Sequence, residues 1–304
     1  MNYAPTELPR QHGDSVTTLC TRATATVDGA TFLSDGGDTR WLAGTLHLTV
    51  LNYSGPFLAT LLPVTRYVEH LTLRNPTRGQ RQPSAVDRTA PPRLAPHTNL
   101  FRDALLSLSA SLVSLTLEGP PLAAADEELQ LVDGVNALLA GGSLRCLHID
   151  GALSAAGMGS LQCTTDSGGG HGADGPPPLR ALVLRDVCLP AAVVSRVVVP
   201  VAPRLRVLDL GGSRMGEEDV VRSVAAVGVH VERLDLGCLF VVGPQTAAAV
   251  KGLLEKATLL NELCLKGHCM DDGTCAELVS CLRSRRGTLR ELDLSGTYAR
   301  FLTF

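Results

Sequence analysis

The sequence predicts an α/β solenoid in which short parallel strands stack on a concave face and each returns through a helix on the convex face. Three observations predict it. The phrase "LRVLDLGGSRM" at Leu205 has a near copy at Val231, "VERLDLGCLFV", and another at Leu289, "LRELDLSGTYA". The spacing is nearly constant: starts at Leu179, Leu205, Val231, Leu260 and Leu289 are separated by 26, 26, 29 and 29 residues. Between the copies lie segments of helical period.

Written as L-x-x-L-x-L, the phrase begins at Val68, Leu112, Leu144, Leu179, Leu205, Val231, Leu260 and Leu289, with a weaker match at Ala43. Its last two leucines are two apart, so both point to one face of a strand while their neighbours point to the other. One such strand cannot bury its apolar side. Stacking copies as a parallel sheet buries it, provided each strand returns through a segment packed behind the layer. The return segments read as helices in "GEEDVVRSVAAVG" from Gly216, "GPQTAAAVKGLLEKA" from Gly243 and "DDGTCAELVSCLRSRRG" from Asp271. In the last, Cys275, Leu278, Val279 and Leu282 form one inward stripe, and acidic residues at its start with arginines at its end suit the helix dipole.

These phrases resemble the leucine-rich repeat family, nearest its ribonuclease-inhibitor-like and cysteine-containing subclasses. The resemblance implies a horseshoe with parallel concave strands and convex helices, from about Leu42 onward and most specifically from Leu179. The family also has an apolar residue ten positions after each start, matched here by Leu122, Leu189, Met215, Val241 and Met270. It departs from the family at the turn. Where the family has Asn or Cys, this chain has Pro120, Val187, Ser213, Leu239, His268 and Thr297, with Cys188 and Cys269 one place later. Less regular turns are the expectation.

Residues 1–40 carry no repeat and read as a tail or a cap; residues 41–304 read as the repeat domain. Two insertions fall in return segments, a basic one near 76–97 with Arg78, Arg81, Arg88 and Arg93, and a Gly/Pro-rich one near 164–178. At the end, "YARFLTF" follows a strand with no return helix. Phe301, Leu302 and Phe304 folding back as a lid, docking on another molecule, and a chain that is a fragment all stay open.

Hydrophobic residues make up 45% of the 304 and charged residues 19%, enough apolar material for a core. A net charge of -3 supplies no global field for nucleic acid or an anionic membrane. The longest apolar run, from Val187, is broken by Pro190, Arg196 and Pro200, which argues against a membrane span. Nine cysteines without a CxxC pair, and an N-terminus without a basic start and apolar block, point to reduced thiols and a cytoplasmic location. Cytoskeletal or flagellar association stays open.

Reactive residue types cluster twice. "CLKGHCMDD" holds Cys264, His268, Cys269, Asp271 and Asp272, but strand alternation and the turn scatter them, and metal-ligand spacing is missing. In "CLHID", Cys146, His148 and Asp150 share the outward face, each about 6–7 Å from the next, too far for a direct hydrogen bond. The glycine runs lack the context of a nucleotide loop. The expectation is no cofactor, no metal and no enzyme activity.

Attention therefore falls on the outward residues of the phrase, its third, fifth and seventh positions. From Leu205 they are Val207, Asp209, Gly211; Arg233, Asp235, Gly237; Glu262, Cys264, Lys266; and Glu291, Asp293, Ser295. Asp209, Asp235 and Asp293 share the middle column, and Asp209 and Asp235 on adjacent strands should repel each other and favour a cation. The candidate partner-binding residues are Asp209, Arg233, Asp235, Glu262, Lys266, Glu291 and Asp293, and the partner is a protein, with a basic segment the best match. The competing reading is that these aspartates are solvated or paired with Arg233 or Lys266. Earlier strands present His47, Thr49, His70, Thr72, Arg74, Ser114, Thr116, Glu118, Ala181, Val183 and Arg185, a mixed and mildly basic set without the aromatic interleaving that RNA stacking needs. The function that follows is a non-enzymatic interaction scaffold or adaptor within a larger assembly. A RanGAP-like small-GTPase activator and the substrate-recognition subunit of a ubiquitin ligase are the alternatives.

Overall fold

The computed structural model describes residues 23–29, 42, 44–75, 99–163, 179–239, 243–268, 272–284 and 288–296. Both predicted insertions lie wholly outside them, as do Cys269, Met270, Asp271, Val241 and residues 297–304.

Ten strands form one sheet in sequence order, every neighbouring pair parallel: β1 (Ala23–Asp28), β2 (Thr45–Leu51), β3 (His70–Arg74), β4 (Ser114–Glu118), β5 (Cys146–Asp150), β6 (Ala181–Arg185), β7 (Val207–Asp209), β8 (Arg233–Asp235), β9 (Glu262–Cys264) and β10 (Glu291–Asp293). A strand can repeat beside its predecessor without a change of order only when each connection crosses behind the sheet. That makes the chain an α/β leucine-rich repeat solenoid.

The returns are α1 (Gly55–Leu61), α2 (Leu100–Leu106), α3 (Ala125–Gly141), α4 (Ala155–Ser160), α5 (Glu217–Ala226), α6 (Pro244–Lys256) and α7 (Asp272–Ser284). The apolar run after Val187 is also a return: α, π and 3₁₀ turns succeed one another from 191 to 204, with Val193, Val194, Val197 and Val198 buried. Among the described residues no helix is long and apolar enough to cross a membrane. In α7 the predicted stripe is inward, with Cys275, Leu278 and Leu282 buried and Val279 packed against the core.

Register is set by the two inward positions. Leu71 and Leu73 pair with Leu115 and Leu117, and so on to Leu234 and Leu263, nearly all at 0–1% exposure. Burial of each such side chain stabilises by about 1.5–3 kcal/mol. The second strand differs from the expectation by two residues. Leu48 and Val50, not Leu46 and Leu48, align with Leu71 and Leu73, so the phrase starts at Thr45 rather than Ala43. A two-residue shift preserves the strand period, which is why His47 and Thr49 still face outward. The sheet also reaches into the segment read as tail or cap, since β1 pairs in parallel with β2.

Candidate functional site: the strand face

The strand face is a grid. In-register pairing places Thr26, Thr49, Thr72, Thr116, His148, Val183, Asp209, Asp235, Cys264 and Asp293 in one middle column, one residue per rung. The column before it runs through Thr24, His47, His70, Ser114, Cys146, Ala181, Val207, Arg233, Glu262 and Glu291. No residue with a fixed charge stands in either column from β1 through β6; the charged residues there begin at β7.

After eight of the ten strands the chain turns, one to three positions on, through a left-handed residue: Asn52, Gly119, Gly151, Asp186, Gly212, Cys238, Gly267 and Gly296 all have φ between 50° and 93°. The reason is a hydrogen-bond ladder. The amide of this residue donates to a carbonyl of the next rung in Asn52 to Arg74, Gly119 to Asp150, Gly151 to Arg185, Gly212 to Gly237 and Gly267 to Ser295, at 2.8–3.1 Å. The left-handed turn thus extends parallel pairing around the bend, where unpaired backbone groups would otherwise be buried. The missing Asn of the consensus turn is replaced differently in different rungs. Ser213, fully buried, donates its hydroxyl to Leu184 O at 2.6 Å and accepts from Val187 N at 3.4 Å, tying its turn to the previous one. Leu239 fills the same place with an apolar side chain.

His268 occupies that place one rung later, 1% exposed, and neither ring nitrogen has a full hydrogen bond among the described residues. Burial holds its pKa below the ordinary 6.5, opposed by the Leu236 carbonyl and the Asp235 charge. A lowered folded-state value means that the unfolded chain takes the proton more readily, so stability is full above pH 6.5 and falls as pH drops through the window below it. We expect urea unfolding to show this acid-side loss and His268→Leu to shrink it, since Leu239 shows that the position takes leucine. A midpoint that falls equally in both proteins would contradict the assignment.

The aspartates of the repeated "LDL" explain why the phrase is rewritten. The Oδ1 atoms of Asp209, Asp235 and Asp293 accept from the amides of Gly211, Gly237 and Ser295 at 3.0, 2.9 and 2.8 Å. Each carboxylate caps the end of a three-residue strand. For Asp293 the Ser295 donors hold the carboxyl below its usual range.

Asp209 and Asp235 are only 2% and 7% exposed. The cation they favour is supplied by the chain itself, from a place that sequence reasoning assigned to the basic end of the face. Arg185 donates Nε to Asp209 Oδ2 at 2.8 Å, and its Nη2 lies 2.6 Å from Asp209 Oδ2 and 3.1 Å from Asp235 Oδ2. These contacts hold the guanidinium firmly charged. Arg233, the partner expected from sequence, stands farther off, 3.9 Å from Asp209 and 3.8 Å from Asp235, and pairs more closely with Glu262 at 3.3 Å. Arg74 is likewise paired, with Glu118. The described arginines of the earlier strand face are therefore neutralised locally; Arg78, Arg81, Arg88 and Arg93 lie outside the described residues.

Of the seven predicted residues, the structure gathers Asp209, Asp235, Arg233 and Glu262 into one network around Arg185. Lys266 and Glu291 are exposed, and Asp293 is half-buried by residue. Between the last two aspartates of the column, Cys264 lies 3.9 Å from Asp293 Oδ2, and burial, with the Asp235 and Asp293 charges, pushes its thiol up to about 11. Cys146 and His148 do share the outward face, but burial raises the Cys146 thiol and His148 Nε2 is buried without a hydrogen-bond partner. At the other end, the imidazoles of His47 and His70 stack at 4.4 Å and 3°. Burial, then His47, hold His70 below its ordinary value while Glu69 raises it. Among the described residues no group of three or more His, Cys, Asp or Glu side chains is arranged to hold a metal.

Comparison with protein-family models and with curated proteins gives no match. Among solved structures, a Bacteroides fragilis protein from a structural genomics consortium is similar at 12% identity, over 88% of this chain and 73% of that one, with a TM-score of 0.45. An internalin of Listeria monocytogenes is similar at 13% identity, over 85% of this chain and 77% of that one, with a TM-score of 0.33.

Proposed function

We propose that the chain is a non-enzymatic protein-interaction scaffold or adaptor, a subunit of a larger assembly, that docks its partner across the strand face. The observation that carries this reading is the grid: outward columns run in register over ten rungs while long insertions are confined to the returns. Repeat lengths of 26–29 residues support the ribonuclease-inhibitor-like and cysteine-containing subclasses. Arg185 supplies the pattern for recognition, a guanidinium seated across carboxylates of two successive rungs. Glu262, Glu291 and Asp293 continue that carboxylate surface on β9 and β10, where a basic segment of the partner would find it. Rim charges of this kind set orientation and on-rate more than affinity.

A photo-cross-linking residue at Glu291 should capture the partner, whereas the same residue at exposed Glu255 on α6 should not. Glu262→Lys should reduce capture by a probe placed at Ser295. Equal cross-linking from the strand face and α6, or indifference to the charge reversal, would contradict the proposal.

A further inference from the structure

The amino-terminal rim of the sheet, where each return enters its strand, carries a row of its own. Backbone pairing runs along it. Arg180 N donates to Arg145 O and Arg206 N to Arg180 O, both at 2.7 Å, so three arginines occupy one place on the rungs of β5, β6 and β7. The row continues to Val113 on one side and Glu232 on the other. All three arginines are exposed, and their backbones stand about 4.8 Å apart. Arg206 is neutralised by the next rung, its Nη1 lying 3.0 Å from Glu232 Oε1. Arg145 and Arg180 have no such neighbour: the ion pairs among the described residues include neither. The outward residues that follow the three, Cys146, Ala181 and Val207, are uncharged. Two unmatched like charges one rung apart repel each other and concentrate positive potential here, on a chain whose net charge is -3.

We propose that this rim docks an extended acidic segment of a partner protein, with carboxylates at alternate positions followed by apolar residues. Arg206 draws the pattern, since its carboxylate comes from the following rung. The segment brings to Arg145 and Arg180 the carboxylates that their own neighbours lack. Val229 and Leu259, two of the large apolar side chains left exposed, lie on the turns that enter β8 and β9, so the same rim passes from basic to apolar. Counted in rung spacings from Arg145, Arg180 stands at about 5 Å, the β8 turn at about 14 Å and the β9 turn at about 19 Å. Alternate side chains of an extended peptide fall at about 7, 13 and 20 Å, and the long arginine side chains take up the difference. The matching segment reads acid-x-acid-x-apolar-x-apolar, with its acidic end over β5. This surface is separate from the carboxylates of β9 and β10, and the segment it takes has the opposite charge to theirs.

The rim suits a peptide better than a nucleic acid. Among the described residues after Arg102 there is no Phe, Tyr or Trp on which bases could stack, and a phosphate backbone has no use for Val229 and Leu259. Guanidinium groups meet carboxylates with two parallel N–H donors, which gives the contact geometry as well as charge.

The test is fluorescence anisotropy of the full chain with a labelled peptide, Glu-Ser-Glu-Ser-Leu-Ser-Leu, at low salt. It should bind saturably, and its counterpart with lysine for each glutamate should not. Arg145→Gln and Arg180→Gln should each weaken binding by about fivefold, the loss of one charge-assisted contact. Arg102→Gln, the same change of charge at an exposed place on α2, should leave it unchanged. Glu232→Gln should tighten binding by about threefold, because it releases Arg206. Failure of the acidic peptide to bind, equal losses from Arg102→Gln and Arg180→Gln, or a weakening by Glu232→Gln would overturn the proposal. So would a single-stranded RNA or a phosphatidylserine vesicle whose binding depends on Arg145 and Arg180 while that of the peptide does not.

Discussion

Arg185→Ala should destabilise the fold by about 2–4 kcal/mol, read as a fall in the urea midpoint at unchanged slope. The reason is burial of what it leaves behind. The side chains of Asp209 and Asp235 are 3% and 10% exposed, and removal of the guanidinium strands two carboxylates one rung apart. Arg185 is itself 37% exposed and Arg233 stands within 4 Å, so part of the loss is recovered by solvent and by Arg233; this places the estimate at the lower end for a broken buried pair. Adding Asp209→Asn and Asp235→Asn to Arg185→Ala should restore most of the stability. Asparagine keeps the oxygen that accepts from Gly211 or Gly237 and removes the charge. If Arg185→Ala costs no more than an exposed ion pair, under about 1 kcal/mol, the network is peripheral to the fold.

Gly119→Ala should cost more, about 3 kcal/mol or above, whereas Gly151→Ala should cost about 1–2 kcal/mol. Both residues belong to the left-handed column, at φ 93° and 61°. They differ in what a side chain would meet. At Gly119 a Cβ would run into the backbone carbonyl of Asn75, which cannot move without breaking the ladder from Asn75 N to Glu118 O. At Gly151 the nearest atom is 3.6 Å away, so only the conformational cost remains. Equal midpoints for the two variants would mean that the turns yield independently of the ladder.

The solenoid was legible because a period of two inside the phrase and a nearly constant period between phrases are one-dimensional signals. The spacing of Leu208 and Leu210 fixes a face, and recurrence 26 residues later fixes a neighbour. The start of β2 was misplaced because "AGTLHLTV" fits the pattern in two registers of the same parity, and only pairing with Leu71 and Leu73 chooses between them. β1 was missed for a related reason: Ala25 and Val27 fill the inward places without a leucine.

The acidic column was legible as a row of residues but not as a network. Arg185 reaches from the seventh position of one rung to the fifth of the next two, a diagonal that no spacing rule announces. The D-x-G of Asp209 with Gly211 and of Asp235 with Gly237 did hold a local signal, an aspartate two residues before the amide that it caps. The left-handed column could also have been read, since Asn, Gly, Asp or Cys stands seven places after every start from Thr45 to Leu289. Asn75 belongs to that series by sequence, yet it is absent from the positive-φ residues and is buried at 3% exposure instead.

Distance measurement between two spin-labelled amino acids on the strand face tests the stacking of rungs most directly. Labels at His47 and Val207, five rungs apart in one column, should give a backbone separation of about 24 Å, and moving the second label to Ala181 should shorten it by about 5 Å. Distances that failed to change by one strand spacing per rung, or a broad distribution at either pair, would contradict a single in-register array.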